Sequence, residues 1–191
     1  MTRLLTVLCL AVVIGTGSDA TAQRTPKFRG IFGVGVSAPT GDANQLWNMG
    51  FHGLAGVGFQ VTPFTQFVPN IEYHGMPLDN MGLPNISGGT LHVLMLGSDI
   101  IATANVPESD VKPQFLIGFG MGHVSISDLY ESGQPVLRFR SETKLYYDIG
   151  VGFEAKAGEN ATGFFSIRFV SLKTEGTATS FVPITLGATF F

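Results

Sequence analysis

Two side chains near the middle of the chain have the types and spacing of a nucleophile and its base. His123 and Ser125 are two residues apart, and residues two apart on a β-strand point to the same face. A histidine next to a serine can take the hydroxyl proton and activate the oxygen for attack on an ester. The pair also needs a carboxylate to orient the histidine. Asp128, Glu131 and Glu142 are the candidates, and none of them can be placed in phase with the pair from sequence.

A second candidate for chemistry is a set of ionisable residues that alternate with apolar ones, namely Glu72, Lys144, Asp148, Glu154 and Arg168. Five such groups on the inner face of a narrow sheet could form an acid–base site. Charged groups removed from water are more often paired with one another. We therefore predict an interior ion-pair network with a structural role, in which Asp148 and Arg168 pair across adjacent strands.

Other candidates for binding chemistry are weak. His52, His74 and His92 are scattered and have no metal-ligand spacing. The single cysteine, Cys9, lies in a segment that we expect to be removed, which excludes thiolate chemistry and disulfides from the mature chain. Gly-x-Gly motifs bind phosphate only where a helix follows, and here more strand follows. We predict no catalytic residue, no cofactor and no metal site.

The surrounding segments alternate between apolar residues and glycine. The pattern Gly-apolar-Gly-apolar occurs at 33–36, 56–59, 118–121 and 150–153. Alternation is typical of β-strands, and a water-soluble sheet has polar residues on its exposed face. Here one face carries Val, Phe, Ile and Met and the other carries mainly glycine. This arrangement predicts a crowded, narrow interior on one side and a lipid bilayer on the other.

Extended across the chain, the alternation predicts eight strands at roughly 28–37, 50–61, 66–75, 90–102, 113–125, 142–155, 163–172 and 181–191. The strand at 90–102 is apolar on both faces, so the pattern does not assign them. The pattern favours long loops at 39–49, 77–89, 126–141 and 173–180, on the extracellular side, and shorter turns at the other end. Aromatic residues near strand ends predict two interfacial girdles, formed by Trp47, Phe51, Tyr73, Tyr130, Tyr146 and Phe181 and by Phe64, Phe67, Phe153, Phe164 and Phe190.

Composition supports a membrane-embedded barrel. Charged residues are 13% of the chain and the net charge is −3, too few to cover a soluble barrel, and no basic cluster indicates nucleic acid binding. After the first 22 residues no apolar run is long enough for a spanning helix. In lipid, the remaining way to satisfy the backbone hydrogen bonds is a closed barrel. The predicted fold class is an all-β, eight-stranded, antiparallel up-and-down transmembrane barrel.

Both ends of the chain agree with this prediction. Residues 1–22 have the features of a cleaved secretory signal, with Arg3, an apolar run and a small-residue site at 20–22. The remaining residues, 23–191, form one predicted domain. The last strand ends on aromatic residues, with Phe190 on the apolar face and Phe191 on the other.

The stretch 33–42, GVGVSAPTGD, and the ending 183–190, PITLGATF, resemble the first and last strands of the small eight-stranded outer-membrane barrels of Gram-negative bacteria, the OmpA-like and OmpX-like group. The resemblance covers residues 28–191. It implies insertion into the outer membrane from the periplasm and contact with the assembly machinery through the C-terminal strand. Its members include adhesins and structural proteins.

The function that we predict is a non-enzymatic outer-membrane barrel with a filled interior and four surface loops. Its expected partners are the lipid bilayer and the assembly machinery, and the sequence does not identify an extracellular partner. Two alternatives remain. One is an esterase that resembles the lipid A deacylases and uses His123 and Ser125, although the Asn-Ala that usually follows is Ile126-Ser127 here. The other is a secreted carrier of an apolar ligand, of the lipocalin type.

Overall fold

The computed structural model describes residues 28–79, 86–131, 134–137, 141–173 and 178–190. These residues form eleven β-strands and a short 3-10 turn at Gly41–Gln45. The strands are β1 (Phe28–Thr40), β2 (Gly50–Thr62), β3 (Thr65–Met76), β4 (Ile86–Gly88), β5 (Leu91–Thr103), β6 (Val111–Ile126), β7 (Leu129–Glu131), β8 (Gln134–Leu137), β9 (Glu142–Lys156), β10 (Ala161–Lys173) and β11 (Ala178–Phe190). Within the described ranges, no helix has the length and apolar character to cross a membrane. The proposed signal at 1–22 lies outside the described residues.

Eight of the strands close into an antiparallel barrel, in the order β1-β11-β10-β9-β6-β5-β3-β2. The cross-strand partners of Val36 can be followed around the barrel in both directions until they meet on β6. One path, through β2, ends at Ser125, and the other, through β11, ends at Phe115, so the two end points are ten residues apart on the same strand. This offset is the stagger that tilts the strands and sets the barrel width. The eight predicted strands and the fold class are confirmed, with boundaries that differ by a few residues.

The other three strands were not predicted. β4, β7 and β8 pair into a small sheet in the order β4-β7-β8, and an isolated bridge joins Trp47 to Leu78. These elements lie in the segments predicted as long loops. They therefore connect the loop after β3 with the loop after β6, at the same end of the barrel.

The outer surface of the barrel is a band of apolar side chains. Val34 is 68% exposed, Leu145 is 73% and Val151 is 58%, which is the reverse of a soluble β-protein. Exposed aromatic rings lie near the turn end of this band, at Phe28, Phe64, Phe67, Phe153 and Phe190. The structure also assigns the faces of β5. Leu94, Leu96 and Ile100 are exposed, whereas Leu91, Val93, Met95 and Asp99 are buried.

A buried apolar cluster fills the loop-side half of the barrel. It contains Trp47, Met76, Leu91, Val93, Met95, Val124, Tyr146, Val170, Leu172 and Phe181. The prediction that Trp47, Tyr146 and Phe181 belong to an interfacial girdle is therefore wrong. The same holds for Phe164 in the turn-end girdle, because its ring lines the lumen cavity beside Arg168. Tyr146 and Phe181 follow the inward phase of their strands, and Trp47 lies in the loop after β1, packed against the cluster. This cluster explains why β5 is apolar on both faces.

Candidate functional site

Four charged side chains meet inside the barrel, below the apolar cluster. Arg168 of β10 donates two hydrogen bonds to Glu72 of β3, from Nη1 to Oε1 at 2.7 Å and from Nη2 to Oε2 at 2.5 Å. These strands stand four places apart in the ring of eight, so the pair spans the lumen. Asp99 and Asp148 lie 3.6 and 3.9 Å from Nη1 of the same guanidinium. All four residues are buried, so a single guanidinium faces three carboxylates.

The predicted pairing of Arg168 with Asp148 is thus a minor part of this cluster. Glu72 makes both short hydrogen bonds to the guanidinium, and Asp99 was not predicted to point inward. The inward direction of Glu72, Asp148 and Arg168 is as the alternation predicted. Nearer the ends of the barrel, Lys144 pairs with Glu142 at 3.2 Å.

Glycine at position 118 allows two carboxylates to approach each other. Asp99 and Asp148 are the cross-strand neighbours of Gly118 on its two sides. A β-carbon at Gly118 would contact an oxygen of each carboxylate. The glycine face of β6 therefore holds the acidic side chains in the space that larger residues would occupy.

A chain of hydrogen-bonding side chains continues from the charged cluster along the lumen. Thr185 Oγ1 lies 2.9 Å from Nε2 of His52, and Nδ1 of His52 lies 3.1 Å from Ser37 Oγ. The same hydroxyl lies 2.8 Å from Nδ1 of His74. Nε2 of His74 is 3.4 Å from Glu72 Oε2. The two histidines, which are far apart in sequence, are direct cross-strand partners on β2 and β3.

The carboxylate of Glu72, at the end of this hydrogen-bonded series of side chains, determines which group donates in each contact. The Glu72 carboxylate is paired with the guanidinium and faces Nε2 of His74 at 3.4 Å, so the proton of the neutral His74 ring is placed on Nε2. In the neutral ring Nδ1 then accepts the Ser37 hydroxyl proton, and the Ser37 oxygen accepts from Nδ1–H of His52. Nε2 of His52 accepts from the Thr185 hydroxyl. With both imidazoles neutral, the hydrogen bonds from Thr185 to His74 all run in one direction, and the chain ends where Nε2 of His74 faces Glu72 Oε2 at 3.4 Å without a well-formed hydrogen bond.

Ser37, His74 and Glu72 therefore have the order of a nucleophile, a base and an acid. All three are buried, with at most 1% of each residue exposed. Phe181 packs on the His74 ring with 4.7 Å between ring centroids, so the apolar cluster covers this group from the loop side. The Ser37 hydroxyl is therefore enclosed in this structure.

The lumen narrows to a small cavity on the turn side of the charged cluster. Its volume is about 30 Å³, with Gln66, Asp99, Gln114 and Arg168 among its walls, which is room for about one or two water molecules. Closer to the turns, Gln114 donates a hydrogen bond to Glu154 at 3.1 Å. Among the residues that the structure describes, no group of three His, Cys, Asp or Glu is arranged to hold a metal ion.

Comparison with solved structures identifies this architecture. Neisserial surface protein A superposes with a TM-score of 0.66 at 12% identity, covering 87% of this chain and 99% of that one. Ail, the attachment invasion locus protein of Yersinia pestis, superposes with a TM-score of 0.54 at 13% identity, covering 86% of this chain and 98% of that one. A major outer membrane protein from Thermus thermophilus superposes with a TM-score of 0.52 at 12% identity, covering 87% of this chain and 99% of that one. The chain has the fold of the eight-stranded outer-membrane barrels. No family model matches it, and no curated protein matches it by sequence.

In this barrel fold, His123 and Ser125 lie on the lipid-facing side of β6, not in the lumen. Nδ1 of His123 is 3.0 Å from the Thr143 hydroxyl on the neighbouring strand. Ser125 stands opposite His92 in the register, and Nδ1 of His92 is 2.6 Å from the Tyr73 hydroxyl. The contacts of the two histidines are thus to hydroxyl groups. The structure does not place Glu142 on their face, since its side chain follows the inward phase of β9.

Proposed function

We propose that this protein is a non-enzymatic, integral outer-membrane barrel with a structural or surface-interaction role. The observation that carries the proposal is the distribution of side chains on the eight barrel strands. Large apolar residues are exposed around the outside, whereas the cluster of Arg168, Glu72, Asp99 and Asp148 is enclosed. A bilayer is the solvent that favours this inverted arrangement. The same distribution disfavours the soluble carrier, which would need a polar outer face.

A filled interior favours a structural role over transport. The apolar cluster around Met76, Met95 and Phe181 fills the loop-side lumen, and the guanidinium of Arg168 with its three carboxylates occupies the middle. The cavity beside the charged cluster is about 30 Å³, and the wider pocket of about 370 Å³ lies beyond it at the turn end, with Gln66 and Glu154 among its walls. Eight-stranded barrels are in general just wide enough to be filled by side chains.

The proposal includes the route to the membrane. Residues 1–22 act as a cleaved secretory signal, and residues 23–191 form the barrel domain, which the assembly machinery recognises through its C-terminal strand. In support, β11 pairs with both β1 and β10, and its exposed Phe190 lies on the outer face near the turn end. At the other end, the sheet of β4, β7 and β8 joins two loops into a surface that faces the cell exterior.

The first test is fractionation. Cells that express the full chain should yield the protein in the outer-membrane fraction, resistant to carbonate extraction. The folded barrel should migrate faster than the boiled sample on a detergent gel, because its closed hydrogen-bonded sheet resists unfolding in detergent. Recovery from the soluble periplasm would show that the proposed location is wrong.

The second test addresses catalysis. Purified, refolded protein should release no fatty acid from lipid A or from a model ester above the rate of a Ser125→Ala variant. The physical reason is that His123 contacts Thr143 and no carboxylate among the described residues orients its ring. Hydrolysis that is lost on Ser125→Ala, while the gel shift of the folded barrel persists, would replace the non-enzymatic proposal with the esterase.

A further inference from the structure

The charged cluster in the lumen contains more carboxylates than its single guanidinium can balance. Arg168 and Glu72 neutralise each other through two hydrogen bonds. Asp99 and Asp148 remain, with oxygens at 3.6 and 3.9 Å from Nη1 of Arg168, which is too far for hydrogen bonds. Both aspartates are buried, with at most 4% of either residue exposed. Among the described residues, Arg168 is the only arginine or lysine paired with either of them. A buried carboxylate without compensation is costly, so this excess of negative charge requires a further partner.

The two aspartates approach each other across β6. Asp99 and Asp148 are the direct cross-strand partners of Gly118 on its two sides. A single β-carbon at Gly118 would overlap both Oδ1 of Asp99 and Oδ2 of Asp148, so the two oxygens border a space that one carbon atom would fill. Neither oxygen has a hydrogen-bond partner among the described residues. Two ionised carboxylates that share such a site repel each other, whereas a proton between them gives a short O–H···O⁻ hydrogen bond.

We propose that Asp99 and Asp148 hold one proton between them at neutral pH, as a carboxylic acid that donates a hydrogen bond to a carboxylate. The proton comes from water when the chain folds, because an aspartate of the unfolded chain has a pKa of about 3.9 and is ionised at neutral pH. No covalent bond changes other than the O–H bond. The folded barrel thus carries a proton-binding site in its lumen, and its stability depends on pH. This inference goes beyond the structural role proposed above.

A proton fits the space between the aspartates better than a metal ion does. Ca²⁺ and Mg²⁺ take about six or more oxygen ligands, and the described residues contain no group of three His, Cys, Asp or Glu arranged for a metal. A proton needs only the two oxygens. Water can reach the pair from the turn side, because the cavity that Asp99 lines shares Gln66 and Glu154 with the wider pocket at the turn end. The proton therefore exchanges with the turn end, whereas the apolar cluster covers the loop side.

Other titratable groups surround the pair and must be separated from it. They are Glu72 and His74 of β3, Tyr146 of β9 and Arg168 of β10, whereas β6 presents glycine at positions 118 and 120. His74 is also joined through Ser37 to His52 of β2. Imidazoles ordinarily titrate near pH 6.5, and both rings are neutral in the hydrogen-bonded series. The effect of the aspartates is therefore measured as the ratio of two chains that differ at one aspartate and keep both histidines.

The test is the urea dependence of folding into phospholipid vesicles between about pH 5 and pH 7, above the ordinary aspartate pKa. The folding equilibrium constant of the parent chain, divided by that of Asp148→Asn, should fall about tenfold for each unit of rising pH, because the folded parent binds one proton that its unfolded state has released. Asp99→Asn should act in the same way and serves if Asp148→Asn does not fold. The matched control is Glu142→Gln, which removes a partly exposed carboxylate paired with Lys144. Its ratio to the parent should not change with pH.

Infrared spectroscopy of the folded protein detects the proton directly. The parent chain and Glu142→Gln should show the C=O stretch of a carboxylic acid at neutral pH, and both Asp148→Asn and Asp99→Asn should lose it. A pH-independent ratio for Asp148→Asn, or a parent chain without this band, would overturn the proposal. Stability that increases when sodium replaces choline at constant ionic strength would assign the space to a metal ion instead. A normal gel shift with either negative result rejects the shared proton alone, whereas a parent chain without the gel shift contradicts the membrane barrel.

Discussion

Replacing Arg168 with methionine is expected to lower the free energy of unfolding by about 3–5 kcal/mol, because removal of one partner of a buried ion pair leaves uncompensated charge. Methionine keeps much of the side-chain length but removes the guanidinium. The carboxylates of Glu72, Asp99 and Asp148 would then face one another inside the lumen. The measurement is the urea dependence of folding into phospholipid vesicles, with the gel shift as the readout of the folded fraction.

A double-mutant cycle separates the ion pair from general disruption of the lumen. Glu72→Leu alone should cost less than Arg168→Met, because Asp99 and Asp148 still neutralise the guanidinium. The double variant should cost less than the sum of the single ones, with a coupling of about 0.5–3 kcal/mol. The coupling energy between Arg168 and Asp148 should be smaller than that between Arg168 and Glu72. The guanidinium nitrogens lie 2.5–2.7 Å from the Glu72 oxygens, whereas the nearest Asp148 oxygen is 3.9 Å away.

Lys144→Met is the control for loss of a cation. Its ammonium is 3.2 Å from Glu142, and both side chains are partly exposed. Ion pairs that reach water contribute only about 0–1 kcal/mol, so this variant should be nearly neutral. Additive losses in the Arg168 cycle, or a loss for Arg168→Met as small as that for Lys144→Met, would contradict a buried ion cluster.

The strands of this protein could be predicted from sequence because a transmembrane barrel repeats the same environment along every strand. Each side chain faces either lipid or the lumen, so the period of two persists from end to end. Strand β9 shows this most clearly, with Leu145, Ile149 and Val151 outside and Asp148 inside. The faces of β5 could not be assigned because part of its inner face is also apolar, where Val93 and Met95 join the buried cluster.

The contacts inside the lumen could not be predicted in the same way. Alternation shows that Glu72 and Arg168 point inward, but their pairing depends on the width of the barrel and on the ten-residue stagger, which sequence does not reveal. The same limit applies to His52 and His74. A two-residue turn at 63–64 alone would place His52 opposite Gly75, and the register shift between Gln60 and Thr62 moves it opposite His74. A one-residue change in register decides which side chains share a face.

Aromatic residues near strand ends were a poor guide to the membrane boundary on the loop side. Position along the strand suggested that Tyr146 and Phe181 were interfacial, but their phase places them inside. Trp47 is packed against the lumen cluster through a bridge to Leu78. The three short strands in the loops were missed because segments of three or four residues are too short to show a period of two. The pairing of β4 with β7 also joins two different loops, which are far apart in sequence.

The outer face of β9 provides the second large effect. Val151→Arg should lower the free energy of unfolding in vesicles by more than the about 0–1 kcal/mol of an interfacial site and by up to about 2–4 kcal/mol, the cost of an arginine at the bilayer midplane. Val151 lies within an exposed apolar row that extends from Leu145 to Phe153. The measurement is again urea-dependent folding into vesicles.

The matched control for Val151→Arg is Val61→Arg. Val61 is similarly exposed, at 65% compared with 58%, but it lies beside the turn after β2, near the membrane boundary. The cost of a charge on the lipid face falls to about 0–1 kcal/mol near the interface, so Val61→Arg should be nearly neutral. In a soluble barrel both positions would face water, and both substitutions would be tolerated. A clear difference between two valines of similar exposure therefore measures depth in the bilayer, and equal costs would show that this face does not contact lipid.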